Sequence, residues 1–228
     1  MAAPVGHLFC ALVFLNSGHA EVKDKAALMA GTSFPDIRYI APISRKLTHR
    51  LAENNMRYVA SAPSSFEMGR RLHVRVDKER EKYMKAHDVY RFVKDEPYPT
   101  HLLKLVEDNI LFEKLGNLQD LNSIFDKVYI EEQSYGLSDA QIRSWHNILK
   151  SYLNPNHYFN FFRYYSAASQ YKKEFGLPEK LFGNFWQSIK TITFFFAAYF
   201  KIEKLSRNVE LRKLILDFYE KNGCQEKP

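Results

Sequence analysis

Apolar residues along this chain recur at helical rather than strand spacing. Leu8–Leu15 reads LFCALVFL. His7, Ala11 and Leu15 fall on one face at i, i+4 and i+8, which predicts a helix from near Pro4. A longer helix is expected from about Phe66 to Phe92, with Ser64 or Ser65 as its N-cap. Its apolar stripe runs through Leu72, Val76 and Tyr83, opposite a densely charged face. Glu96-Pro97-Tyr98-Pro99 breaks the pattern, and Thr100 is the expected cap of a helix from His101 to about Leu115. Gly116, Gly136, Pro155, Gly176 and Pro178 punctuate four or five further helical segments. The turn-rich stretch Gly31–Asp36 and the segments 42–44 and 61–65 read as loops. Short runs such as Ile37–Ile40 have no strand partner.

Composition agrees with that pattern. Nine Gly and nine Pro in 228 residues are too few turn formers for an all-β sandwich or barrel, which needs a turn every 8–12 residues or so. A single compact all-α domain is expected, with a metal-site half (1–115), a helical completion (116–222) and a short disordered tail (223–228). No run reaches the roughly 18 apolar residues of a membrane span; the best, Ile192–Phe200, reads as a buried helix. The apolar stretch before Ser17-Gly18-His19-Ala20 resembles a secretory signal, but Met1–Gly6 carries no basic residue. A retained helix and a cytoplasmic location are therefore expected. Secretion is the alternative, and cleavage would then remove His7.

Net charge is +7, which favours anionic partners such as phosphates, nucleic acid or a membrane surface. The basic residues are spread along the chain, as on an ordinary solvated surface. Two cysteines, Cys10 and Cys224, cannot build a disulfide scaffold or a Cys-based zinc site. Any zinc site must use histidine and carboxylate.

Five of the eight histidines lie in the first 90 residues. His73 and Asp77 are four apart on the long helix, so they share a face at a spacing usual for two ligands of one metal. An exposed hydrogen-bonded pair is the simpler reading. Gly69, one turn earlier, leaves room for a neighbouring helix or loop. Asp36 sits between apolar residues, either as a buried carboxylate needing a cation or as an N-cap. His49 is a ligand candidate or a surface histidine, and His7 a ligand or a satisfied core residue. Arg70, Arg71 and Arg75 flank the His73–Asp77 turn, on a solvated face or as a phosphate clamp. The aromatic run Tyr158–Tyr165 reads as core, with a cleft lining as the alternative. Polar groups inside one helical bundle must be satisfied collectively, and three histidines and two aspartates around a cation would do so.

His7, then A-G-T-S-F-P-D-I (Ala30–Ile37), Thr48-His49 and G-R-R-L-H-V-R-V-D (Gly69–Asp77) resemble the zinc-dependent phospholipase C family, whose superfamily includes the single-strand-specific fungal nucleases. The resemblance covers residues 4–80. It implies an all-helical zinc hydrolase of phosphate esters, phospholipid or nucleotide, with peripheral contact at a membrane surface. It implies one zinc held by Asp36, His49, His73 and Asp77, a second nearby taking His7, and Asp36 as acceptor of the proton of the attacking water. The chain departs from the family's remaining site. Of His87, His101, His146 and His157, none is followed by Glu at i+4: the residues there are Arg91, Leu105, Lys150 and Phe161. Met1-Ala2-Ala3-Pro4 has no match to the family's N-terminal ligands. One or two zinc ions are therefore expected rather than three.

Two other readings compete. An HD-type metal-dependent phosphohydrolase would use His87-Asp88 with His49 and Asp126, leaving His73 and Asp77 unexplained. A non-catalytic helical protein would bind an anionic partner through its basic surface.

Overall fold

The computed structural model describes residues 3–18, 20–96, 98–116, 118–153 and 199–222. His19, His157, the Tyr158–Tyr165 run, most of Ile192–Phe200 and the 223–228 tail lie outside them. The described residues are helical and contain no β-strand, so the all-α expectation holds.

Helix α1 (Pro4–Ser17) begins with Pro at its first position and ends at Gly18, whose φ of 68° gives the left-handed cap. Its flank carries no capping side chain, because the cap comes from elsewhere in the fold. The Asp108 carboxylate accepts from the amides of Gly6 (3.0 Å) and Val5 (3.4 Å). Cys10, fully buried on α1, is disulfide-bonded, a state rare in cytosolic proteins.

Helix α2 (Lys25–Ser33) is capped by Asp24 and runs through Gly31-Thr32-Ser33, where a loop was expected. The Thr32 and Ser33 hydroxyls bond back to the carbonyls of Leu28 and Met29, which satisfies these residues inside a helix. A tight 3-10 turn (Phe34–Tyr39) follows, then α3 (Arg45–Thr48, capped by Ser44) and α4 (Met56–Ala60, capped by Asn55). The long helix α5 spans Ser65–Ala86, with Ser64 accepting from the Glu67 amide. It stops six residues short of expectation because Asp88 turns left-handed (φ 47°) into a 3-10 segment, Val89–Val93. Helix α6 (Pro99–Phe112) begins at Pro99, with left-handed Tyr98 rather than Thr100 at the cap position. Helices α7 (Leu118–Ser123), α8 (Ile130–Gln133), α9 (Asp139–Tyr152) and α10 (Val209–Asp217) complete the described chain, with helical residues 199–206 before the last.

The packing that matters most is α2 against α5. A Cβ on Gly69 would lie 2.0 Å from the Leu28 carbonyl oxygen, and one on Gly31 would lie 2.0 Å from that of Phe66. Each glycine is thus required by the backbone of the other helix. The room expected beside Gly69 is filled by α2. Around this crossing Leu8, Phe14, Leu28, Phe34, Ile37, Phe66, Leu72 and Val76 form the core, all at most 1% exposed.

Candidate metal centre

The α2–α5 crossing sets the first element of the site. It brings the Thr32 carbonyl within 2.8 Å of His73 Nδ1. That oxygen can only accept, so Nδ1 carries the proton and the Nε2 lone pair faces inward. His73 is fully buried. Four residues on, Asp77 lies beneath it, as helical spacing requires, with Nε2–Oδ2 at 3.7 Å.

Three other elements deliver the remaining donors. α1 places His7 parallel to His73, ring centroids 3.6 Å apart, with Nε2 3.4 Å from Asp77 Oδ1. The C-terminal end of α3 places His49, its Nε2 3.7 Å from Asp77 Oδ2 and its Nδ1 2.8 Å from the Thr48 hydroxyl. The 3-10 turn carries Asp36 inside its first turn rather than at a cap. Potential ligand atoms of His7, His73 and Asp77 lie within 4.8 Å of one another, as do those of Asp36, His49 and His73. All five residues singled out in the sequence are therefore together.

Their polar atoms are buried and incompletely used. Both ring nitrogens of His7, Nε2 of His49 and of His73, and Oδ1 of Asp36 make no hydrogen bond. Leaving such groups dry costs about 1–3 kcal/mol each. Two ligands of a tetrahedral zinc at ~2.1 Å are about 3.4 Å apart. The observed donor separations of 3.4, 3.7 and 3.7 Å around Asp77 need to change by only a few tenths. The residues present fit a divalent cation with nitrogen and oxygen ligands.

The electrostatics favour the ligand forms. Burial, then the Arg45 charge, pushes His49 down to about 3; burial and His7 push His73 well below the usual histidine range. Both imidazoles are neutral, as metal binding requires. Asp36 is raised by burial and by the Asp77 charge. Burial would also raise Asp77, but His73 and His7 overcome it and hold that carboxyl well below the usual range.

The neighbouring arginines are not where the sequence suggested. Arg70 is buried. It grips Glu67 through Nε and Nη2 (2.6 and 2.7 Å), while Nη1 donates to the carbonyls of Thr48 and Arg50, both at 2.9 Å. It thus pins the chain on either side of His49. Arg71 shares Glu67 and reaches the Tyr58 carbonyl instead. Arg75 is buried. The cations that face the cluster are ones the sequence did not mark. Arg38 lies 3.8 Å from Asp36, Arg45 lies 3.8 Å from Asp77, and Lys104 on α6 interacts electrostatically with both aspartates. No linear motif brings 38, 45 and 104 together; they come from the 3-10 turn, α3 and α6.

The other candidates stand apart. His87 and Asp88 are exposed at the end of α5, where His87 stacks on Tyr83, and exposed Asp126 pairs with Lys150. His101 is exposed. His146 and Glu132, fourteen residues apart, form a buried pair at 2.9 Å in which Glu132 also caps α8 through the Tyr129 amide. No family model matches the chain, and neither a curated protein nor a solved structure gives a significant match.

Proposed function

We propose that this chain is a zinc-dependent hydrolase of phosphate esters, holding one or two divalent ions through His7, Asp36, His49, His73 and Asp77. One observation carries the reading. Five buried donors from four elements converge with atoms left unbonded, while the outer nitrogens of His73 and His49 are tethered in the manner of metal-ligand histidines. The resemblance of residues 4–80 to the zinc-dependent phospholipases C supports the same assignment.

When bound, a divalent ion supplies an electrophile for a phosphoryl oxygen and a more acidic water. The chain's own residues do the rest. His73 and His49 present Nε2 lone pairs fixed by Thr32 and Thr48. Asp77 offers Oδ2 toward these two and Oδ1 toward His7. Asp36, whose Oδ1 has no hydrogen bond, is placed to take a proton from an attacking water.

Elemental analysis of tag-free, full-length protein tests the reading. At least one zinc per chain is expected, falling to background in His73→Ala, with metal-dependent hydrolysis of phosphatidylcholine or of single-stranded nucleic acid. No described helix is long and apolar enough to cross a membrane, so a lipid substrate would be met at a membrane surface. A protein that takes up no zinc and shows no thermal shift with it would instead be the non-catalytic binder of an anionic partner.

A further inference from the structure

Between Asp36 and Glu53 the chain has four cations, Arg38, Arg45, Lys46 and Arg50, and no carboxylate. The last three lie on α3 and just after it, and all three are exposed. Arg45 is committed inward, 3.8 Å from Asp77. Lys46 and Arg50 are not: among the described residues their side chains have no ion pair or hydrogen bond. Surface cations elsewhere are often paired, as Lys82 is with Glu79, Lys85 with Glu81 and Lys150 with Asp126. Leu47 sits between the two uncommitted cations and is 51% exposed. The next residue, Thr48, is fully buried, and the one after it is the ligand candidate His49. An exposed leucine therefore stands two residues from a buried donor of the metal centre.

An aliphatic side chain flanked by unpaired cations complements an anionic bilayer. Each Lys or Arg near such a surface strengthens partitioning by roughly fivefold, and an apolar side chain entering the headgroup region adds to it. The apolar stems of Lys and Arg lie along the lipid while their charged heads meet its phosphates. Single-stranded nucleic acid would call instead for open rings on which bases stack. The exposed apolar side chain here is aliphatic, and the ring of Tyr58 on α4 is covered by the Arg71 guanidinium, 4.0 Å from its centroid. Position agrees with charge. Arg45 is half exposed and also lies beside buried Asp77, so the face that carries Leu47 is the one on which the cluster meets solvent.

We propose that residues 45–50 form a docking face that seats the metal cluster against an anionic phospholipid bilayer, with Leu47 in the headgroup region and Lys46 and Arg50 on the lipid phosphates. The proposal rests on the phosphate-ester reading above and names the phospholipid surface as the place where that substrate is met.

The test is co-sedimentation of the full-length protein with vesicles of phosphatidylcholine alone, and of phosphatidylcholine and phosphatidylserine in equal parts. Zinc content is measured on every sample. Binding is expected on the mixed vesicles and should fall as salt is added. Lys46→Gln and Arg50→Gln should each weaken it by about fivefold, and Leu47→Ser by about threefold or more at unchanged charge. Lys213→Glu is the control: an exposed cation on α10, which packs against α6, is there changed by two charges and should weaken binding by less than about twofold. All these positions are exposed, so the variants keep the fold, as thermal unfolding checks. Absence of binding to the mixed vesicles overturns the proposal. So does an equal loss in Lys213→Glu and Lys46→Gln, which would be net charge acting without a face. Leu47→Ser that binds like the wild type overturns it too, and a single-stranded oligonucleotide bound through Lys46 and Arg50 would then assign the face to nucleic acid. A protein that binds the mixed vesicles through these residues but takes up no zinc keeps the docking face and overturns the metal reading alone.

Discussion

Two buried polar clusters share helix α5 and the first turn of α1, and they are built on opposite principles. In one, Arg80 donates to both oxygens of Glu107 (Nε–Oε2 2.7 Å), and the Tyr219 hydroxyl donates to the same Oε2 at 2.7 Å. Gly6 is required there, since a Cβ would stand 2.6 Å from that hydroxyl. Beside it Asp108 accepts from Val5, Gly6 and Tyr152. All four carboxylate oxygens have donors. In the other, three residues back along α5, His73 and His49 are tied only on their outer nitrogens, the inner ones have no hydrogen bond, and neither ring nitrogen of His7 has one. A cluster whose carboxylates are all supplied with donors belongs to the fold, even with Arg80 Nη1 making no hydrogen bond. One tethered from behind and open at its centre suits the divalent ion proposed above.

Breaking each cluster in turn sharpens this contrast. Removing one partner of a buried ion pair strands the other, so Glu107→Ala should cost about 3–5 kcal/mol, a fall of roughly 6–20 °C in Tm for a chain of this length. His73→Leu should change the metal-free protein by no more than ~1 kcal/mol, because the lost bond to Thr32 is offset by removal of an unbonded buried nitrogen. Urea unfolding in the presence of a chelator measures both, and equal losses would erase the distinction. Added zinc should reverse the ranking. At a hundredfold excess over Kd it should stabilise the wild-type protein by about 2.7 kcal/mol, Glu107→Ala by a similar amount and His73→Leu not at all, read as Tm shifts.

The open cluster was far more legible in the sequence than the closed one. His73 and Asp77 announce themselves through helical spacing, and Gly69 through the absence of a side chain on the same face. Asp36 stands out as a charge among apolar neighbours. His7 and His49 are individually unremarkable, and the family resemblance singled them out. Glu107 and Tyr219 gave no signal, because their partners lie 27 and 112 residues away in sequence. The cap of α1 was hidden for the same reason, being supplied from α6. The role of Arg70 was misread because a charged residue on a charged helix face looks solvated until the Thr48–Arg50 segment folds over it. The glycine at 31 was taken for a turn former, when it is the contact point of two helices.

Adjacent arginines test whether the open cluster is held from outside. Arg70 and Arg71 both bind Glu67, but only Arg70 reaches the carbonyls flanking His49. Loss of an outer support of a metal ligand typically costs 10–100-fold in metal affinity. Arg70→Met should therefore weaken zinc binding by about that factor in a chelator competition, while Arg71→Met should leave it within about threefold. Cobalt substitution adds a readout that a stability loss would not mimic. The visible ligand-field bands should change in Arg70→Met and not in Arg71→Met. Identical spectra would mean that His49 is fixed without Arg70.

The smallest expected effect separates the two clusters by the sign of a pH dependence. His49 in the open cluster is pushed down to about 3 by burial and Arg45, whereas an unfolded histidine titrates near ~6.5. Between these values the unfolded chain binds a proton that the native one refuses, so this group makes stability fall as pH falls from 6.5 toward 3. Asp108 in the closed cluster is pushed up to about 7, mainly by burial and against its hydrogen bonds to Tyr152 and Gly6. An unfolded aspartate titrates near ~3.9, so here the native state keeps the proton longer, and stability falls as pH rises from about 4 to 7. Urea unfolding of the metal-free protein from pH 4 to 7 should show His49→Leu losing part of the acid-side decline. Asp108→Asn, which keeps an acceptor for the α1 amides, should lose part of the neutral-side decline. If both variants shift the profile in the same direction, the opposition between the open and the closed cluster does not extend to their protons.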